Sequence, residues 1–248
     1  MICAGLDVGS RTIKLVTLDG NDLKSQVAAT GANPLKRCRE LIGDNGYRRL
    51  VVTGYGRHLV APALGGEAIS EIKAFALGSH HLFPGCRAVI DIGGQDCKVI
   101  RLSADGTVQK FEMNDRCAAG TGRFLEVTAA TLEVPVGSLG NLALGATRQI
   151  TLNSLCTVFA ESEVVSLIGR GEETAAIALA LHEAIAVRIA AMSKRVNIAG
   201  KTVFAGGAAL NRCLGRLIAE KLAIEMVIPD SPQTVGALGA ALLAREGD

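Results

Sequence analysis

Three carboxylates sit in or beside two short glycine turns of this chain. Asp7-Val8-Gly9-Ser10 and Asp91-Ile92-Gly93-Gly94 each end an apolar run with an Asp and then turn through glycine, and Gln95-Asp96 follow the second turn. Small residues let backbone N–H groups approach phosphate oxygens closely. Ser10 adds a hydroxyl, and Arg11 and Lys14 stand beside it. The carboxylates cannot hold phosphate directly, because like charges repel. Their physical use is to hold Mg²⁺ through waters, since that ion dehydrates reluctantly. Gln95 or Asp96 is then placed to orient an attacking water, because positioning dominates phosphoryl transfer. One D-x-G turn alone is an ordinary hairpin turn; two matched copies in one chain favour the phosphate reading.

The elements that carry these turns repeat. Ala4-Gly5-Leu6-Asp7-Val8-Gly9-Ser10 aligns with Ala88-Val89-Ile90-Asp91-Ile92-Gly93-Gly94, and without a gap Lys14 then falls on Lys98 and Leu18 on Leu102. Asp19-Gly20 and Asp105-Gly106 supply the next turns. Such a repeat predicts two lobes of common design, each opening with a β-hairpin. Between and after them strands and helices alternate: a strand at Leu50–Thr53, a helix over Ala68–Leu82, helices after Gly120, Thr157, Glu172 and Asn211, a strand at Val203–Ala205 and a last helix over Val235–Arg245. This is an α/β pattern with mixed sheets. The boundary is expected near Gly85, with residues 1–85 and about 232–248 in the first lobe, 86–231 in the second, and the last helix crossing back. A third glycine site, Ala205-Gly206-Gly207-Ala208-Ala209-Leu210-Asn211, joins strand to helix where a purine and ribose can lie on bare backbone; its plain alternative is a tight turn.

The order of these sites resembles the acetate and sugar kinase/Hsp70/actin superfamily, and within it the activator ATPases of 2-hydroxyacyl-CoA dehydratases, with benzoyl-CoA reductase ATPase subunits as relatives. Val52 to Arg57, Glu71 to Ala74, Asp91 to Asp96 and Asn114 to Leu125 match that pattern, and N-D-x-C-A-A-G-T-G-R is the most specific segment. The resemblance spans nearly the whole chain. It implies an actin/Hsp70-like fold with an RNase H-like mixed sheet in each lobe, ATP and ADP as ligands, Mg²⁺, and glycine contacts to nucleotide at Gly120 and Gly122.

The cysteines bear on the redox side of that resemblance. Cys117 and Cys156 each precede a predicted helix start, where the positive end favours thiolate. A four-iron cluster takes four thiolates, so two chains about a two-fold axis would supply them. The resembling activators are implied to work so, as homodimers sharing one [4Fe-4S] cluster, fed by ferredoxin or flavodoxin and passing electrons to a dehydratase or other iron–sulfur protein. Cys3, Cys97 and Cys213 read as small buried hydrophobes, and Cys38 and Cys86 as lying near surface turns. His182 reads as a residue of a core helix, and His58 as a loop residue without a role.

Composition narrows the remaining classes. Lys plus Arg total 26 against 24 Asp plus Glu, and aromatics are 3% with no Trp. Both weigh against nucleic-acid binding. Seven cysteines, an odd number without C-x-x-C spacing, argue against a disulfide framework. The chain enters a strand-like run at Ile2 with no secretory signal ahead, and its most apolar stretch, Ala175–Met192, is broken by His182, Glu183 and Arg188. A cytoplasmic protein away from the membrane is expected. A small-molecule kinase of the same superfamily and a nucleotide switch without redox chemistry are the competing readings; neither needs Cys117 or Cys156.

Overall fold

A computed structural model describes residues 2–43, 46–152 and 157–246. The first sheet contains β1 (Cys3–Val8), β2 (Thr12–Asp19), β3 (Asp22–Ala29), β4 (Arg49–Thr53) and β5 (Glu67–Ala68), in the order β3-β2-β1-β4-β5. The second contains β6 (Ala88–Ile92), β7 (Cys97–Leu102), β8 (Val108–Asn114), β9 (Thr202–Ala205) and β10 (Met226–Val227), in the order β8-β7-β6-β9-β10. In each, the first three strands pair antiparallel and the other two add in parallel. The repeat therefore runs through whole sheets, and each expected hairpin is extended by a third strand. The ladder sets Asp7 opposite Lys14 and Asp91 opposite Lys98. β1 and β6 are buried at every position, as strands covered on both faces must be.

Helices α1 (Pro34–Ile42) and α2 (Arg57–Ala63) cover the first sheet, with Leu6, Ile13, Leu15 and Val52 in that core. Asn33 caps α1 by accepting from Lys36 N, and Pro34 opens it. Cys38 is buried on α1 and not at a surface turn, whereas Cys86 closes the turn over residues 83–86, its N–H donating to Phe83 O at 3.0 Å, with its own side chain buried. The expected helix over 68–82 is the short β5 followed by α3 (Glu71–Leu82), whose start Ser70 caps. The larger core lies in the second lobe under α4 (Gly122–Thr131), α5 (Leu139–Leu144), α6 (Thr157–Gly169), α7 (Thr174–Val196) and α8 (Arg212–Leu222). α7 is long and apolar enough to cross a bilayer, yet 72% of its apolar window is packed inside the protein.

Two helices join the lobes. α9 (Val235–Glu246) packs on β1, β2 and β4, and α3 touches β6, β7 and β8. They cross in backbone contact: a Cβ on Gly239 would collide with the Ala74 carbonyl, and one on Gly78 with that of Val235.

Candidate functional site

The three glycine turns leave the carboxyl ends of β1, β6 and β9, where open α/β sheets bind ligands, and the Cys117 segment follows the edge strand β8. The turn after β1 and the turn after β6 face each other across one cleft of about 630 Å³. Asp7, Gly9, Ser10, Arg11, Lys14, Asp91, Gly93, Gly94, Gln95, Asp96, Gly122, Gly206, Gly207 and Asn211 all line it. The left-handed glycines after the parallel strands extend the pseudo-symmetry: Gly54 (φ 92°) follows β4 against Asp7 Oδ1, and Gly206 (φ 85°) follows β9 against Asp91 Oδ1. Any side chain at either position would strike the carboxylate and strain the backbone.

The charges form two groups. Lys14 Nζ lies 3.2 Å from Asp7 Oδ2. Lys98, 1% exposed, holds Asp91 at 2.9 Å and Glu71 at 2.7 Å, and also pairs with Asp96. Its ammonium sits 5.5 Å from the Phe75 ring centre. Arg57 approaches Glu71 at 3.6 Å from the first lobe. Burial opposes the Lys98 charge, but Asp91, Asp96 and Glu71 overcome it and hold its pKa well above the ordinary value. Burial pushes the pKa values of Asp91 and Glu71 up, with Lys98 the main opposing charge. One oxygen, Asp91 Oδ1, is buried without a hydrogen-bond partner. Among the described residues no three His, Cys, Asp or Glu side chains are arranged to grip a metal directly.

The second turn is bonded to the segment that carries Cys117. Gly122 N donates to Gly93 O at 2.9 Å and Arg123 N to Gly94 O at 2.8 Å, so two free donors of the α4 N-terminus end on the glycine turn. Gly122 permits this approach: a Cβ there would stand 3.0 Å from Gly93 O. The first turn reaches the same helix through Arg11, whose guanidinium pairs with Glu126 at 2.8 Å. Asp115 lines the cleft, and Cys117, two residues on, is exposed, with Asn114 Nδ2 donating to its carbonyl at 2.7 Å. Gly120 does not line the cleft; it takes φ 78° and packs over Arg188. Cys156 lies outside the described residues.

The sequence matches the BadF/BadG/BcrA/BcrD ATPase family over residues 33–244. The chain belongs to that family. It is 40% identical to the 2-hydroxyisocaproyl-CoA dehydratase activator of Clostridioides difficile, over 98% of this chain and 95% of that protein. It is 39% identical to the (R)-2-hydroxyglutaryl-CoA dehydratase activating ATPase of Acidaminococcus fermentans, over 97% and 95% respectively. Among solved structures, the activator of the 2-hydroxyisocaproyl-CoA dehydratase from Clostridium difficile with bound ADPNP superposes with a TM-score of 0.91 at 39% identity, over 98% of this chain and 94% of that one. The fold is the two-lobed α/β fold of actin/Hsp70-like ATPases.

Within this family fold, several cleft residues escape a reading from motifs alone. Lys98 aligns with Lys14 in the repeat, but its three carboxylate partners come from two strand ends and from α3. Glu71 and Arg57 belong to matched segments that carry no sign of chemistry in themselves. His58, expected in a loop, is the second residue of α2 and lines the cleft.

Proposed function

We propose that this protein is an ATP-hydrolysing iron–sulfur activator. It takes up Mg²⁺-ATP in the cleft and passes low-potential electrons to a partner 2-hydroxyacyl-CoA dehydratase or related iron–sulfur enzyme. The observation that carries this reading is the bonding of α4 to both phosphate turns, through Gly93 and Gly94 carbonyls and through Arg11–Glu126, beside the exposed Cys117. A γ-phosphate seated between Ser10 and Gly93-Gly94 bears on the same atoms that anchor α4. A ligand shifts a conformation only through differential contacts, and the γ-phosphate is the difference between ATP and ADP.

The residues present fit the groups this activity needs. Asp7, Asp91, Asp96 and Glu71 face the cleft with Lys14 and Lys98, and Asp91 Oδ1 lacks a partner, a setting that suits a hydrated divalent cation. Mg²⁺ bound there would neutralise the phosphates. Gln95 and Asp96 are positioned to hold the attacking water and Asn211 with Gly206 and Gly207 to hold the nucleoside. For the cluster, the five other described cysteines are buried and Cys117 alone among them is exposed, as a ligand shared with a second chain must be. With Cys156, two chains supply four thiolates; a [4Fe-4S] cluster held so would carry one electron at a time. Residues 1–85 with about 232–248 act as one lobe and 86–231 as the other, joined by α3, which crosses α9 and packs on the second sheet. The homodimer works in the cytoplasm with ferredoxin or flavodoxin as donor.

The test is reconstitution. Anaerobically purified protein should contain about four irons per dimer and should support turnover of a dehydratase only with ATP and a reductant. Iron-free protein of full ATPase activity that still activates the dehydratase would refute the reading.

A further inference from the structure

His182 lies on α7, 0% exposed, with both ring nitrogens engaged beside the cleft. Nδ1 is 2.6 Å from the Ala178 carbonyl, which can only accept, so Nδ1 carries the proton. Nε2 is then an acceptor, and it faces Asn211 Nδ2 at 2.8 Å. The other end of the Asn211 amide is pinned independently: Oδ1 accepts from Leu214 N at 3.1 Å, capping α8. An amide flip would set Nδ2 against the Leu214 N–H and Oδ1 against the imidazole lone pair, losing both bonds. Burial keeps the imidazole pKa below its ordinary value, opposed by the hydrogen bond that Nδ1–H donates to the Ala178 carbonyl, so the neutral ring that accepts from Asn211 is the resident form. Gly140 on α5 closes the arrangement, because a Cβ there would collide with Asn211 Oδ1. Three helices thus converge on one amide that lines the cleft.

We propose that His182 is a positioning residue for nucleotide: its Nε2 fixes the Asn211 amide so that the remaining Nδ2 hydrogen is presented to a hydrogen-bond acceptor of the bound nucleoside. This rests on the reading of the cleft as a nucleotide site. Its consequence is specific, since a change on a core helix alters ligand affinity through one side chain.

The test is ADP titration by calorimetry on the full chain. His182→Phe keeps an aromatic ring but loses the acceptor, and the Kd for ADP should rise about tenfold, the worth of one oriented hydrogen bond. His182→Gln, whose Oε1 can accept from Asn211, should recover most of the affinity. In an Asn211→Ala background, His182→Phe should cause no further loss. Wild-type affinity in His182→Phe, no recovery with Gln, or the same tenfold loss in both backgrounds would overturn the proposal. Should the Phe variant fail to fold, Gly140→Ala perturbs Asn211 from the opposite side. It should weaken ADP only where Asn211 is present, and unchanged affinity would count against the proposal. Failure of the wild-type protein to bind ADP at all would instead remove the nucleotide reading on which this stands.

Discussion

Replacing Lys98 by Met removes one charge from the buried junction of the two lobes and keeps most of the side-chain length. Asp91, 1% exposed, then loses its partner at 2.9 Å, Asp96 loses its own, and Glu71 keeps only Arg57 at 3.6 Å. Breaking a buried ion pair by removing one partner costs about 3–5 kcal/mol. At about 2–4 °C per kcal/mol for a chain of this size, the melting midpoint should fall by roughly 6–20 °C. The loss carries a pH signature. Burial already raises the pKa values of Asp91 and Glu71, and Lys98 is the main charge holding them down. A carboxyl whose folded pKa exceeds its unfolded value favours the folded state at low pH, and that benefit disappears as pH rises through the folded pKa. Without Lys98 both values climb further, so the deficit against wild type should be small near pH 5 and largest near pH 8. Thermal melts followed by circular dichroism at pH 5, 6.5 and 8 read this directly. A deficit that is the same at all three pH values, or a midpoint within 2 °C of wild type at pH 8, would refute the assignment of Lys98 as the shared counter-charge.

Other consequences follow for the cleft and the Cys117 loop. Asp7→Asn and Asp91→Asn should each lower kcat for ATP hydrolysis on the order of 10²-fold while ADP still binds, measured by phosphate release and titration; wild-type turnover in both would remove their metal-holding role. Cys117→Ser should lose iron after anaerobic reconstitution and keep nucleotide affinity, since Cys117 is outside the cleft wall; retention of full iron would exclude it as a ligand.

What the sequence revealed, and what it hid, follows from how local each feature is. The Asp and Gly of both turns and the Lys seven residues after each Asp are visible because a hairpin ladder keeps fixed register, setting Asp7 opposite Lys14 and Asp91 opposite Lys98. The equivalence of Gly54 and Gly206 is hidden, because β4 and β9 join their sheets by parallel pairing after long and unlike crossovers. Cys38, expected near a surface turn, is instead buried on α1, the helix that Asn33 caps and Pro34 opens. Glu71 and His182 acquire meaning only from partners on other elements, Lys98 on β7 and Asn211 at the start of α8. Gly120 belongs to the most specific segment of the chain, yet it packs over Arg188 and outside the cleft wall.

In the proposed mechanism the nucleotide in the cleft acts on the Cys117 loop through α4. The most direct measurement is the rate at which a water-soluble iron chelator strips the reconstituted dimer, compared in Mg²⁺ with a non-hydrolysed ATP analogue and with ADP. Stripping should be much faster with the analogue, and the difference smaller in Arg11→Ala, which frees α4 from the first turn. Equal rates in the two nucleotide states, with both nucleotides shown to be bound, would contradict it.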